Sequence, residues 1–226
     1  MKLLSIETSS TVCSISILEN TNILYEKHSQ DILTHSEQLL PMIKQAFLQM
    51  PFSLKDIDLY SCSVGPGSFT GIRIGIATIK GFVDVYQKPA IGISSLEGLC
   101  FPLKQKGMIC SMIDAKNSNL YTGIWENQTL KEPFSFHTID SFLLHLSKEA
   151  EKEITFVGNA SLLYQETIQN MFPNCHFVKP EQNQVSSVGI GLAAYHKYQK
   201  KQEKQYPLCP LYLRKSQAER TLEGKQ

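Results

Sequence analysis

Gly65-Pro66-Gly67-Ser68-Phe69-Thr70-Gly71-Ile72-Arg73-Ile74-Gly75-Ile76-Ala77-Thr78-Ile79-Lys80-Gly81-Phe82 decides how the rest of the chain is read. Its first seven residues are the densest turn signal in the sequence, and they follow Leu59–Val64, a short apolar run suited to a buried strand. Residues 72, 74 and 76 alternate as a strand would. The length of the apolar run argues instead for a helix to about Val85, with a strand over Ala90–Ile93 after Pro89. Strand, turn, helix, strand is the repeating unit of an α/β fold. Gly67, Gly71 and Gly75 are four apart and align on one face if the helix reaches back that far. Each glycine inside a helix costs about 1 kcal/mol relative to alanine, so close approach of another backbone is the expected compensation.

Working outward, Leu3–Thr8, Val12–Ile17 and Ile23–Tyr25 read as three antiparallel strands joined by tight turns. Thr34-x-x-Glu37 is a capping-box signal, and Leu40, Ile43 and Phe47 recur behind it with Leu39, Met42, Ala46 and Met50 alongside. The result is a helix of about sixteen residues whose apolar surface is wider than one stripe requires. Pro41 within it predicts a kink, or else a later start. The first hundred residues therefore read β-β-β-α-β-α-β. Downstream, Met108–Ile113, Leu120–Trp125, Phe134–His137 and Ile154–Val157 are expected strands. Asp140–Leu146, Ser161–Met171 and Val185–Tyr198 are expected helices. Two α/β halves meet near 100–106, giving a first lobe over 1–104 and a second over 105–226. The helix over 185–200 is placed so that it can pack back on the first lobe.

Composition narrows the function. The chain has 226 residues, 42% hydrophobic and 19% charged, with a formal net charge of +1. That excludes a protein basic all over that binds nucleic acid by bulk electrostatics. Residues 197–226 carry eight basic and three acidic side chains, which leaves a local RNA contact through Lys197, Lys200, Lys201 and Lys204 as one reading beside a solvated tail. The longest stretch without Asp, Glu, Lys or Arg is the fifteen residues Gln182–His196, short of the roughly 20 apolar residues a membrane span needs. Six cysteines with no C-x-x-C, and no apolar leader after Lys2, point to free thiols and a cytoplasmic protein.

Chemistry-bearing motifs are sparse. The sequence has no H-E-x-x-H, no H-x-x-x-H and no cysteine pair at zinc spacing. Gly67-Ser68-Phe69-Thr70-Gly71 is not a serine elbow, because the serine stands one place early. Nor is Gly65–Gly71 a P-loop, since the spacing is wrong and no lysine follows. Three readings of this turn stay open: a structural turn, a turn shaping an interface or pocket rim, or a phosphate contact. Glu7 and Asp114 fall at the ends of expected strands, where an α/β clamp has its cleft. Glu7 with Ser9 and Ser10 could order an ion or a magnesium–phosphate group, or the carboxylate could cap neighbouring amides. Asp114-Ala115-Lys116 carries the same ambiguity.

The eleven residues Gly65–Gly75 resemble the signature of the bacterial TsaB family, the non-catalytic subunit of threonylcarbamoyladenosine synthesis on tRNA. Five further blocks resemble it in the same order: Ile6-Glu7-Thr8-Ser9, His35-Ser36-Glu37 with Leu39-Leu40-Pro41, Ser94-Ser95-Leu96-Glu97, Ile113-Asp114-Ala115, and Pro210-Leu211-Tyr212-Leu213-Arg214. The likeness covers about 3–125 and the tail, and little of 126–205. It implies an α/β fold with two similar lobes of the actin-like ATPase (ribonuclease-H-like) type, the second reduced. Glu7 departs from the family's usual Ile-Asp-Thr, and its longer side chain would displace a coordinated ion.

The resemblance further implies a scaffold or activator that dimerises with the catalytic paralogue TsaD through the helices over 35–50 and 71–86. Homodimers are the other assembly it implies. On this reading the ATPase TsaE joins, tRNA is met through the assembled complex, and ATP and a divalent metal belong to the partner subunits. The resemblance implies no cofactor of its own and no catalytic residues for this chain. The implied interface residues are His35, Leu39, Met42, Ile43, Ala46, Gly67, Phe69, Gly71, Arg73, Ile74, Gly75 and Thr78. Glu7, Ser9 and Ser10 remain weaker nucleotide or ion candidates. The competing reading is a glycoprotease-like metallopeptidase or weak ATPase acting alone.

Overall fold

The computed structural model describes residues 1–29, 34–103, 107–200 and 208–214. β1 (Lys2–Glu7), β2 (Ser14–Glu19) and β3 (Asn22–His28) form an antiparallel meander, followed by α1 (His35–Leu48). β4 (Leu59–Gly65) pairs parallel to β1, α2 (Phe69–Tyr86) crosses over, and β5 (Ala90–Ser94) pairs parallel to β4. The first sheet thus has the order β3-β2-β1-β4-β5. α3 (Ser95–Cys100) leaves β5 without a loop.

The second sheet repeats the opening move. β6 (Met108–Asp114) pairs antiparallel with β7 (Asn119–Glu126), which also holds β8 (Thr129–Leu130) and β9 (Ser135–Thr138). After α4 (Ile139–Leu146) comes β10 (Ile154–Val157), parallel to β6, then α5 (Asn159–Leu163), α6 (Gln165–Met171) and β11 (His176–Phe177). The chain returns through α7 (Ser187–Lys200).

Period-two alternation explains the layering. Leu4, Ile6, Ile15, Ile17, Tyr60 and Cys62 share one core with Leu39, Ile43 and Ala46 of α1 and with Ile72, Ile76 and Ile79 of α2. On the other face, Leu3, Leu18, Leu59 and Ile93 meet Ile190, Ala193 and Ala194 of α7, and that same core takes in Ile109, Trp125 and Val157 of the second sheet. A third core joins Cys110, Met112, Ile154 and Phe156 to Phe142, Leu143 and Leu146 of α4. α3 and α7 therefore lie between two sheets, with helices covering each outer face. Where they cross, a Cβ at Gly189 would collide with the carbonyl of Gly98, so glycine lets the two backbones touch. Lys197 Nζ meets Glu97 Oε2 at 2.6 Å across the same pair, with the Glu97 side chain 5% exposed.

Sequence and structure differ in short elements. α3 has six residues, too few for a helical period, and starts where Ser94 Oγ accepts the Leu96 N–H at 3.2 Å. β8 and β11 are two residues each and give no alternation to read. The helix expected over Ser161–Met171 begins two residues earlier and divides into α5 and α6 at Tyr164. α1 begins at His35 and runs through Pro41, so the later start is excluded.

Candidate functional site

The carboxyl ends of β1, β4 and β6 converge on a cleft of about 640 Å³ between the two halves. From the first half come the turn after β1 (Ser9, Ser10, Thr11), the turn after β4 (Pro66 to Phe69) and His35 at the start of α1. From the second come Ile113 to Lys116 at the end of β6, Tyr121 of β7 and Asn159 opening α5. Gln184 and Val185, just before α7, and Arg214 complete the wall.

At the floor, Glu7 Oε1 accepts three hydrogen bonds: from Ser9 N–H at 2.6 Å, Ser9 Oγ–H at 2.7 Å and Ser10 N–H at 3.0 Å. Ser9 Oγ shares a further bond with Ser95 at 2.7 Å. The Glu7 side chain is fully buried, and its Oε2 has no partner of ordinary hydrogen-bond geometry. Burial pushes this carboxyl above the usual range, against the opposing pull of hydrogen bonds from Ser63, Ser9 and Ser10. Glu7 Oε1 is thus spent on its own turn while Oε2 stays buried and unpartnered, and Glu7 does not line the cleft. Of the three weaker ion or nucleotide candidates, Glu7 caps the amides of its own turn, and Ser9 and Ser10 line the cleft.

The glycine face is corrected. A Cβ at Gly71 would collide with the Thr8 carbonyl, one at Gly67 with the Ser9 carbonyl, and one at Gly75 would stand 2.5 Å from Thr8 Oγ1. The backbone that approaches these glycines is this chain's own β1 end. Ser68 caps α2 by accepting the Gly71 N–H at 3.2 Å, which fixes the helix start over that contact. Leu39, Met42, Ile43 and Ala46 also point inward, at 5% exposure or less. They are core, so they cannot be offered to another protein.

The remaining implied interface residues lie at edges. His35 Nε2–H donates to the Ser10 carbonyl at 2.8 Å, tying α1 to the cleft loop. Phe69 stacks on Tyr212 with centroids 4.5 Å apart, and Arg73 Nε donates to the Tyr212 hydroxyl at 2.9 Å. Ile74 and Thr78 are half-buried on α2. What sequence reasoning passed over is the outward side of the same helices: Leu40 (56% exposed), Leu48 (77%) and Val85 (72%), with Ala77 and Gly81 exposed between them. Leu40 was within the wide apolar surface, but periodicity does not say which half faces the sheet.

The tail joins both halves. Leu211 N–H donates to the Val64 carbonyl at 2.7 Å, and Arg214 donates to the Ala115 carbonyl at 3.0 Å while lying over the Phe136 ring. Lys197 and Lys200 close α7, while Lys201 and Lys204 lie outside the described residues. Among the described residues, no group of three His, Cys, Asp or Glu side chains could hold a metal ion. Burial pushes the Cys13 and Cys100 thiols up to about 12, which leaves them poor nucleophiles. No described helix is long and apolar enough to cross a membrane.

Two α/β halves facing across a cleft, with two helices sandwiched between their sheets, make the α/β actin-like fold. A model of the TsaD family, tRNA N6-adenosine threonylcarbamoyltransferase, matches residues 31–222. The tRNA threonylcarbamoyladenosine biosynthesis protein TsaB of Bacillus subtilis is 24% identical over 97% of this chain and 96% of its own length. Its Escherichia coli counterpart is 25% identical over the whole of both chains. YeaZ from Pseudomonas aeruginosa superposes with a TM-score of 0.73 at 19% identity, covering 94% of this chain and 99% of that one. The chain belongs to the tRNA N6-adenosine threonylcarbamoyltransferase family and, within it, to the TsaB family.

Proposed function

We propose that this chain is the non-catalytic scaffold subunit of a tRNA-modifying complex that transfers threonylcarbamoyl to the adenosine beside the anticodon. It acts by docking the outer face of α1 and α2 on the catalytic paralogue TsaD. TsaE joins the assembly, ATP and a divalent metal are held by those partners, and the setting is the cytoplasm. The observation that carries the docking face is the exposure of the apolar and small residues Leu40, Leu48, Ala77, Gly81 and Val85 on α1 and α2. Exposed apolar area of this kind favours a protein partner.

The test is reconstitution of the tRNA modification with and without this chain. Modification should depend on the wild-type chain. Leu48→Asp combined with Val85→Lys should weaken binding to TsaD by about tenfold or more and lower the modification rate in parallel. The same double variant should unfold within about 0.5 kcal/mol of wild type, because both side chains are solvent-exposed. Full-strength binding by it would remove α1 and α2 from the interface.

A further inference from the structure

We propose that the hollow where α3 and α7 end is a second small-molecule site, shaped for one flat apolar ring that carries a single carboxylate. It measures about 220 Å³ and lies at the opposite end of α7 from the cleft. That volume is below the roughly 300–1,000 Å³ of sites for drug-sized ligands, and it suits a single ring with its acid group. The wall is rich in carbon. Phe101 and His196 lie with ring centroids 5.1 Å apart, Trp125 and Phe134 with centroids 5.8 Å apart, and Leu130 completes it. Trp125 spends its Nε1–H on Ser111 Oγ at 3.1 Å, so its indole offers the hollow carbon alone. Tilted ring pairs of this kind leave faces and edges against which a further ring packs.

The polar side of the hollow selects the sign of the charge. Glu97 and Lys197 line it and neutralise each other at 2.6 Å, with the Glu97 side chain 5% exposed. Lys200 also lines it and makes no ion pair among the described residues, so one positive charge is left over. His196 lies in the same field: burial, then the ammoniums of Lys200 and Lys197, hold its imidazole below the usual range and so uncharged at neutral pH. The Gln128 carboxamide and the Thr129 hydroxyl make no hydrogen bond among the described residues and can donate to a carboxylate oxygen. A cationic ring would meet Lys197 and Lys200, and an uncharged one would leave Lys200 unmatched.

Trp125 is the only tryptophan in the chain, so its fluorescence reports on this hollow. The experiment titrates benzoate into the full chain at constant ionic strength. Benzamide, benzylamine and acetate serve as controls that remove the charge, reverse it or remove the ring. Benzoate should change the emission saturably with a Kd on the order of 1 mM, and each control should bind at least about fivefold more weakly. Lys200→Gln, at an exposed helix end, should weaken benzoate binding by about threefold or more with the melting temperature unchanged. Unaltered emission up to about 20 mM benzoate would overturn the proposal. So would any control that matches benzoate, or a Lys200→Gln chain that binds it as wild type does. None of these readouts involves α1, α2 or a partner protein, so the docking face is tested separately by reconstitution.

Discussion

At the end of β1, Glu7 folds back beneath its own turn and spends one oxygen on three donors of Ser9 and Ser10. At the end of β6, Asp114 stays in the cleft wall, accepting the Lys116 N–H at 2.9 Å and pairing with a Lys116 ammonium that is 83% exposed. Both turns are backed by a glycine that no side chain could replace: Gly71 lies under the Thr8 carbonyl, and Gly158 under the Met112 carbonyl. The two halves thus share a backbone solution and differ in the use of the carboxylate. The first half seals its strand end as structure, and the second keeps a polar wall. A carboxylate at the end of a parallel strand is a functional candidate only when its oxygens face outward.

The shared part should show the largest effect. Gly71→Ala and Gly158→Ala should each destabilise the protein by about 3 kcal/mol in urea unfolding, because a methyl group cannot fit against a carbonyl without moving backbone. If Gly71→Ala alone is benign, the two strand ends are not built alike. For the same reason Gly75→Leu should cost stability first, with any loss of partner binding following from it.

Breaking what each carboxylate holds should separate the halves. Glu7→Ala leaves buried donors of Ser9 and Ser10 unmatched and should cost about 2 kcal/mol. Lys116→Gln, which removes an ammonium that is 83% exposed, should change stability by less than about 0.5 kcal/mol. Equal costs would erase the distinction.

Between these lies a pH effect. The folded Glu7 carboxyl is raised from 4.5, so between that value and its folded value the native state holds more protons than the unfolded one. Its contribution is complete below 4.5 and is lost as pH rises through the folded value. The stability of wild type relative to Glu7→Gln should therefore grow as pH falls from 7 to 5, by at most about 1.4 kcal/mol per pH unit. A gap that shrinks would mean Glu7 is charged and satisfied in the fold.

Much of the first half was legible because its signals are local. The alternation of β1 and β2, the turn after β4 and the helix behind it each reside within a few consecutive residues. Direction was not legible. Leu39 and Leu40 are neighbours with the same chemistry, yet one is buried at 1% and the other 56% exposed, since only the packed sheet decides which face turns in. The glycine spacing announced a close approach without naming the neighbour, which proved to be Thr8, more than sixty residues upstream. The destination of Arg214 was equally hidden, its acceptor being the carbonyl of Ala115, 99 residues earlier.

The placement of α7 bears on how the chain is made. The inner face of the first sheet is roofed by a helix translated well after it, and Ser187 N–H reaches Ser14 Oγ across 173 residues. At about 5–20 residues per second, that roof emerges roughly 5–20 s after β5 has left the ribosome. Through that interval Leu3, Leu18 and Leu59 lack their α7 cover, and the nascent first half is a natural client for chaperones.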